Sequence, residues 1–306
     1  MEASIIISAY TLERLPDLQD AIDALEPQLK GRAEILLIVE DEKPLVEGLK
    51  IEFSNRPVNI LVSSRRGVTA ARNLGIEKST GDIIIFLDDD AVPSDTWLTE
   101  ILAPYSNPKN MGVGGNIYPS WKVGSRPEWF PTELDWLIGS FYGGHPKRRA
   151  YVRNIIGANM SFRREVFDVV GGFSTSIGAI GKKRIAGDDS EFCMRLRKAY
   201  GPNHILFIPE ARVEHRVPPE RQTIKHSLKR AYIEGVSKAV IARMFEGKTT
   251  QNLDTEFNHL IYLATKGIPG KLKKGKIGQF IMLILCTSLV LLGYMRGSMS
   301  MVREAI

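Results

Sequence analysis

Hydrophobic and polar positions in the N-terminal part of the chain alternate between two periods. Ala3-Ser4-Ile5-Ile6-Ile7-Ser8 is a short β-branched run of the kind that forms a buried strand. Glu13–Leu29 follows with Leu15, Leu18, Ile22, Leu25 and Leu29 at helical spacing. Strand-like runs return at Glu34–Val39, Val58–Val62 and Asp82–Leu87, the last reading DIIIFL, and Met111–Ile117 predicts a fifth. Between them, Thr69–Lys78 predicts a helix with small alanines on one side, and Asp95–Tyr105 another. This alternation predicts an α/β fold, a mostly parallel central sheet with helices on both faces. The second half is less regular. Helices are expected at Arg163–Val170 and Asp188–Ala199, and short strands at Ile205–Ile208 and Arg212–Glu214. A long amphipathic helix with a basic face is expected at Gln222–Phe245. Residues 116–150, rich in Pro, Gly and aromatics, read as loop.

Sheets of this kind place ligands at the carboxyl ends of their strands. That rule selects Ser8-Ala9-Tyr10, Glu40-Asp41 and Asp88-Asp89-Asp90. No G-x-G-x-x-G follows the first strand and no G-x-x-x-x-G-K-[ST] occurs, which disfavours a dinucleotide site and excludes a P-loop. Three consecutive aspartates repel one another without a counter-charge. Asp88 and Asp90, at i and i+2, can project to one side of an extended chain end and suit a hard divalent cation that also takes substrate phosphates. The alternative is a solvated acidic turn capping the next helix. Asp188-Asp189-Ser190-Glu191 starts a predicted helix and serves equally as an N-terminal cap. His215 ends a short strand, where an isolated histidine is as often structural as ligating.

Charge changes the picture in the C-terminal third. Residues 1–215 carry 26 Lys and Arg against 29 Asp and Glu, whereas residues 216–306 carry 15 against 6, so the basic excess is confined to that end. An anionic membrane surface is a better partner for it than nucleic acid, because the neighbouring Ile277–Met295 is apolar and uncharged. As a helix that segment spans about 28 Å, close to a bilayer core. Lys271, Lys273, Lys274 and Lys276 precede it and Arg296 and Arg303 follow, a flank that places the preceding domain on the cytoplasmic side. A buried core helix is the competing reading. Ser4–Ala9 lacks the basic lead-in and cleavage pattern of a secretory leader. Cys193 and Cys286 are far apart in sequence and suggest neither a disulfide framework nor a cysteine zinc site.

The stretch Gly67-Val68-Thr69-Ala70-Ala71-Arg72-Asn73-Leu74-Gly75, then Ser79-Thr80-Gly81-Asp82 and IIIFLDDD, resembles the inverting family 2 glycosyltransferases of the GT-A (Rossmann-like) fold. The likeness continues through Gly157-Ala158-Asn159-Met160-Ser161-Phe162-Arg163, Val170-Gly171-Gly172-Phe173 and Gly187-Asp188-Asp189-Ser190-Glu191-Phe192. It implies a nucleotide-diphosphate sugar donor bound near Tyr10, Glu40, Arg72, Asp88 and Asp89, and a divalent cation (Mn or Mg) held by Asp90 with His215. It also implies an acceptor side that includes Asn159 and Asp188, and Asp189 as catalytic base. Glu40 stands where the family more often has aspartate, and Asp188 where it has glutamate.

Residues 114–145 are similar to the archaeal glucosyl-dolichyl-phosphate glucuronosyltransferases, which implies a lipid-linked sugar acceptor at the cell membrane, with Trp121, Trp129 and Trp136 on the acceptor side. The domains expected are a catalytic domain over 1–215, a basic helical region over 216–270 and a membrane-attachment helix over 271–306. The catalytic domain divides into a nucleotide-sugar half (1–117) and an acceptor half (118–215). Residues 116–150 and 176–187 are candidate lids, the latter with Gly181, Lys182, Lys183 and Arg184. A polyprenyl-phosphate sugar transferase, a polysaccharide glycosyltransferase and a nucleotide-sugar-binding membrane scaffold are the competing functions.

Overall fold

The β-branched runs become four parallel strands, β1 (Ala3–Ala9), β2 (Ala33–Glu40), β3 (Val58–Ser63) and β4 (Ile83–Asp88), ordered β3-β2-β1-β4. The crossovers are α1 (Leu15–Leu29), α2 (Lys43–Glu52) and α3 (Val68–Lys78). Strands covered on both faces need apolar residues at successive positions, and Ile5, Ile6 and Ile7 are all buried. The register sets Ile6 beside Leu36 and Phe86, and Ser8 beside Asp88, so β1 and β4 end at the same level. The structure is a computed structural model that describes residues 2–142, 145–180, 183–245 and 254–303. Gly181 and Lys182 of the expected lid lie outside the described residues, as do the side chains of Lys183 and Arg184.

After β4 the chain turns through Asp89 and Asp90 into β5 (Ala91–Pro93), α4 (Trp97–Leu102), β6 (Gly112–Trp121) and β7 (Ala150–Tyr151). Next come β8 (Asn159–Arg163), α5 (Arg164–Val170), the paired β9 (Gly178–Ile180) and β10 (Lys183–Ile185), α6 (Asp188–Tyr200) and β11 (Ile205–Val217). The sheet continues β4-β8-β6-β11-β5, with β7 also on β11. Here it becomes mixed: β8 runs antiparallel to both β4 and β6, and β5 and β7 run antiparallel to β11. Antiparallel pairing needs no crossover helix, and between β6 and β8 the described residues form a short 3-10 helix (Thr132–Ile138) and β7. Where two short strands were expected, β11 runs unbroken through Pro209.

The chain divides into two compact units. The first comprises Met1–Tyr118, Pro146–Arg184 and Asp188–Arg216 and contains most of the sheet. Its core includes an aromatic cluster in which Phe173 meets Phe86 edge-on at 5.2 Å and stacks on Phe192 at 4.6 Å. Asn159 is wholly buried there. Its amide nitrogen donates to the carbonyls of Asn116 (3.0 Å) and Ala211 (2.9 Å), and its oxygen accepts from the Trp97 indole (2.9 Å). The expectation that Asn159 meets an acceptor is thereby corrected: its hydrogen-bonding groups tie sheet to helix.

The second unit comprises Pro119–His145, Ile185–Gly187 and Val217–Ile306. Its helices are α7 (Ile224–Met244), α8 (Asp254–Tyr262), α9 (Ile268–Lys273) and α10 (Ile277–Arg303). This differs from the sequence-based division, because residues 119–145 cluster with the C-terminal helices. Phe130, Leu134, Leu137 and Ile138 pack with Met282, Leu283 and Cys286. Trp121 and Trp129 lie edge-on to Phe130 at 6.0 and 5.5 Å, and Trp136 lies edge-on to His259 at 6.4 Å. The three tryptophans expected on the acceptor side are thus half-buried packing groups of this unit. Over Ile277–Met299, α10 has a mean hydropathy of 2.0 and is long and apolar enough to cross a membrane.

Replacing Asn159 by Ala leaves two carbonyls and an indole N–H buried without partners. The expected loss is roughly 2–4 kcal/mol of unfolding free energy in urea titration. A loss within a few tenths of a kcal/mol would show that the amide is not a structural tie.

Candidate active site

The site is built where β1 and β4 end and where β11 returns beside them. The turn after β4 is short, and β5 then pairs with β11 in a register that sets His215 beside Ala91. The Arg216 backbone N–H donates to the Asp90 carbonyl at 2.8 Å, which fixes the acidic turn against the same strand. His215 Nε2 consequently lies 3.0 Å from Asp90 Oδ1 and 4.0 Å from Asp88 Oδ2. Asp88, Asp90 and His215 each offer a ligand atom within 4.8 Å of the others. Asp90 and His215 are buried, whereas the Asp88 side chain is 35% exposed. Two carboxylates and an imidazole on a rigid strand end fit a divalent cation and leave its remaining positions to oxygen ligands from substrate or water.

A second requirement is counter-charge, and two arginines meet it. Arg14, in the short turn before α1, places Nη1 2.7 Å from Asp89 Oδ1 and 2.9 Å from Asp90 Oδ2. Burial alone would weaken the Arg14 charge, but the carboxylates of Asp89 and Asp90 outweigh it and hold the guanidinium above its ordinary range. Asp89 is buried, and burial pushes its carboxyl up to about 7 against the opposing pull of Arg14. Its carboxylate turns inward to Arg14, so the expected donor-binding residue is buried in an ion pair. Sequence reasoning did not single out Arg14. The available signal was the need for a counter-charge to Asp88-Asp89-Asp90, but spacing does not reveal which arginine supplies it.

Arg72, on α3, is the other. It is buried, with its guanidinium carbon 5.9 Å from the Phe86 ring centroid and 5.4 Å from that of Phe173. Its Nη1 is hydrogen-bonded to Asp188 Oδ2, and its Nη2 lies 3.4 Å from Asp88 Oδ1. The expected pocket-wall arginine is thus an internal bridge between the strand-end acids and the start of α6. A Cβ at position 157 would collide with its Nη2, so the close approach of backbone and guanidinium requires Gly157.

Gly157 also donates its N–H to Asp189 Oδ2 at 3.1 Å, and Ser190 N–H donates to Asp189 Oδ1 at 2.6 Å. Burial and the neighbouring Asp188 carboxylate push the Asp189 carboxyl up to about 6, with Arg72 and the two N–H groups restraining the rise. A carboxylate with that value is a competent proton acceptor near neutral pH. The remaining sequence candidates sit at strand ends. Tyr10 is 47% exposed and carries the Arg14 guanidinium over its ring at 5.1 Å. Glu40 ends β2 and accepts from the Gly67 N–H at 2.9 Å, bracing the entry to α3.

Residues 4–171 match the model of a family described as Glycosyl transferase family 2. The chain is 27% identical over 303 residues to the glucosyl-dolichyl phosphate glucuronosyltransferase of Haloferax volcanii, covering 97% of this chain and 96% of that relative. It is 28% identical over 244 residues to the succinoglycan biosynthesis protein ExoM of Rhizobium meliloti, covering 77% and 73%. The solved mannosyltransferase PcManGT from Pyrobaculum calidifontis, in complex with GDP-Man and Mn2+, superposes with a TM-score of 0.63 at 16% identity, covering 96% of this chain and 87% of that one. That likeness is one of fold, and the sheet is that of the GT-A glycosyltransferases.

Replacing Arg72 by Met removes the counter-charge between Asp88 and Asp188 while keeping most of the apolar volume. Breaking a buried pair from one side is expected to cost roughly 3–5 kcal/mol of unfolding free energy at neutral pH. A cost of about 1 kcal/mol or less, as for an exposed pair, would mean that the bridge contributes little.

Proposed function

The chain belongs to glycosyl transferase family 2, and on that premise we propose that it transfers a sugar, with inversion, from a nucleotide-diphosphate donor to a hydroxyl of a lipid-linked sugar. The observation that carries this reading is the pairing of a cation-binding cluster (Asp88, Asp90, His215) with a raised carboxyl at Asp189, joined through Arg72. Likeness along nearly the whole chain to a glucosyl-dolichyl phosphate glucuronosyltransferase supports glucuronic acid as the sugar and a dolichyl-phosphate-linked glucose as acceptor, and the donor proposed is UDP-linked. The apolar α10 and the basic C-terminal third support action at a membrane, with the exposed lysines favouring its cytoplasmic side.

Asp88, Asp90 and His215 would hold a divalent cation, Mn or Mg, which when bound offsets charge on the departing diphosphate. Asp88, the half-exposed member, is also open to the donor, and Tyr10 at the end of β1 offers a ring for the base. Transfer is a single displacement. The acceptor oxygen forms a bond to the anomeric carbon, the bond from that carbon to the diphosphate oxygen breaks, and the hydroxyl proton passes to Asp189. Gly157 and Ser190 N–H groups orient the Asp189 oxygens, and Arg72 keeps the carboxyl ionised often enough to act.

A screen of UDP- and GDP-sugars with Mn or Mg and a dolichyl-phosphate-linked glucose acceptor tests the substrates. Metal-dependent nucleotide release that needs the acceptor sugar supports the reading. Transfer to dolichyl phosphate itself, untouched by Asp189→Asn, would hand the function to a polyprenyl-phosphate sugar transferase, since a phosphate oxygen needs no base.

For the base, Asp189→Asn should lower turnover at saturating substrates by ~10²-fold or more while donor affinity stays near wild type. The wild-type rate should fall as pH drops below about 6, because the protonated carboxyl cannot accept a proton. Arg72→Met should move that limb to higher pH. A flat profile from pH 5 to 7 (roughly the range in which such a group titrates) would remove Asp189 from the role.

A further inference from the structure

Helix α10 has two opposed faces. Met282, Leu283 and Cys286 are buried in the second unit's core, whereas Ile281, Ile284, Leu285, Leu291, Leu292 and Met295 form a stripe 41–53% exposed. The spacing of the stripe is helical, so it is one face of the helix, apolar except for the exposed Ser288. A helix that crossed a bilayer would meet lipid or other apolar helices around its girth. The buried side of α10 meets something else.

Helix α7 runs beside α10 in the same direction, with Tyr232 next to Gly293 and Val236 and Ala239 next to Gly297. A Cβ at Gly235 or Gly293 would strike the backbone of the other helix, so the two pack at the closest separation helices allow. Residues 232–239 of α7 therefore share the level of residues 290–297, the C-terminal part of the apolar stretch of α10, which ends at Arg296. Around that level α7 carries Glu234 of the Arg230–Glu234 ion pair (2.6 Å) and Lys238, which is paired to Glu256 (2.9 Å). Ahead of it Leu228 and Ala231 pack in one core with Met282, Leu283 and Cys286, so Lys225, Lys229 and Arg230 fall beside the middle of α10. If α10 spanned the bilayer, α7 would bring these charges into hydrocarbon alongside it, which is strongly unfavourable. One apolar face, one charged partner behind it and a cationic end are the features of a helix lying in a membrane interface. At that end Lys273, Lys274 and Lys276 are exposed, while Lys271 is engaged by Glu133 at 2.9 Å.

We infer that α10 lies in the plane of a single leaflet of an anionic bilayer and does not cross it. The stripe enters the acyl region, and Lys273, Lys274 and Lys276 meet headgroup phosphates. This goes beyond the sugar-transfer reading and stands without it.

The test is side-specific labelling of the full chain after Cys193→Ser and Cys286→Ala. Lys274→Cys and Ser298→Cys, one at each end of the helix and both exposed, are probed with a membrane-impermeant maleimide in inside-out and right-side-out vesicles from expressing cells. In-plane binding labels both positions in the same vesicle orientation. Labelling in opposite orientations means that α10 spans, and overturns the inference. In a second measurement, purified protein is mixed with phosphatidylglycerol–phosphatidylcholine vesicles or with phosphatidylcholine alone. Partitioning should favour the anionic vesicles, and Leu285→Lys with Leu292→Lys should weaken it by roughly tenfold or more. Unchanged partitioning of that variant, or wild-type protein remaining in solution as a dimer, would each refute membrane insertion of the stripe.

Discussion

Buried carboxylates need buried counter-charges, and the geometry of the first unit follows from that constraint. Asp88 ends β4 and Asp89 and Asp90 form the turn after it, while Asp188 and Asp189 begin α6. Arg72 reaches from α3 to both groups, so one guanidinium fixes the neighbouring α3 and β4 to the start of α6, 116 residues along the chain from it. Phe86 and Phe173 pack about its planar head, and Gly157 leaves room for it. Arg14 does the same for the inner side of the acidic turn, taking up Asp89 and one oxygen of Asp90. Planar guanidinium forks suit such bridges better than an ammonium would, because one group serves two carboxylates in fixed directions.

The same constraint separates chemically identical side chains into different roles. Asp89 is turned inward and neutralised by Arg14; Asp90 is divided between Arg14 and His215; Asp88 keeps an open side. Asp189 is desolvated beside Asp188, yet both of its oxygens accept backbone hydrogen bonds that keep the ionised form accessible. Acid–base assignment here depends on environment and not on residue type. Consecutive aspartates thus divide into a structural anchor and the two proposed as cation ligands, and the adjacent pair on α6 into a bridge partner and the proposed proton acceptor.

Much of the first unit was legible in the sequence because its signals are local. The runs at Ala3–Ala9, Ala33–Glu40 and Ile83–Asp88 are strands because apolar side chains buried on both faces leave few alternatives, and Val58–Ser63, half-exposed at the sheet edge, follows from its β-branched run. Helix α2 was not legible, since Leu45 and Leu49 are its only buried positions and give too short a period. Two short strands were expected at Ile205–Ile208 and Arg212–Glu214, but β11 runs unbroken across both, with Pro209 inside it. The long helix α7 read as amphipathic, but its inward face is small rather than apolar, with Ala231, Gly235 and Ala239 admitting the backbone of α10. The sequence singled out Asp88, Asp90 and His215, which the fold brings together as a group that could hold a metal ion. Arg14, the bridging geometry of Arg72, and the structural use of Asn159 and the tryptophans depend on contacts across the fold that no spacing encodes.

Single displacement at a cation-held diphosphate, with Asp189 taking the proton, has a stereochemical consequence that is independent of rate. Given an α-linked nucleotide-diphosphate sugar that the protein uses, the anomeric proton of the freshly formed glycoside can be followed by time-resolved proton NMR before any mutarotation of free sugar intervenes. Attack from the face opposite the diphosphate yields a β-linked product throughout, and that is the expected spectrum. An α-linked product from the first time points onward would contradict single displacement and the part assigned to Asp189.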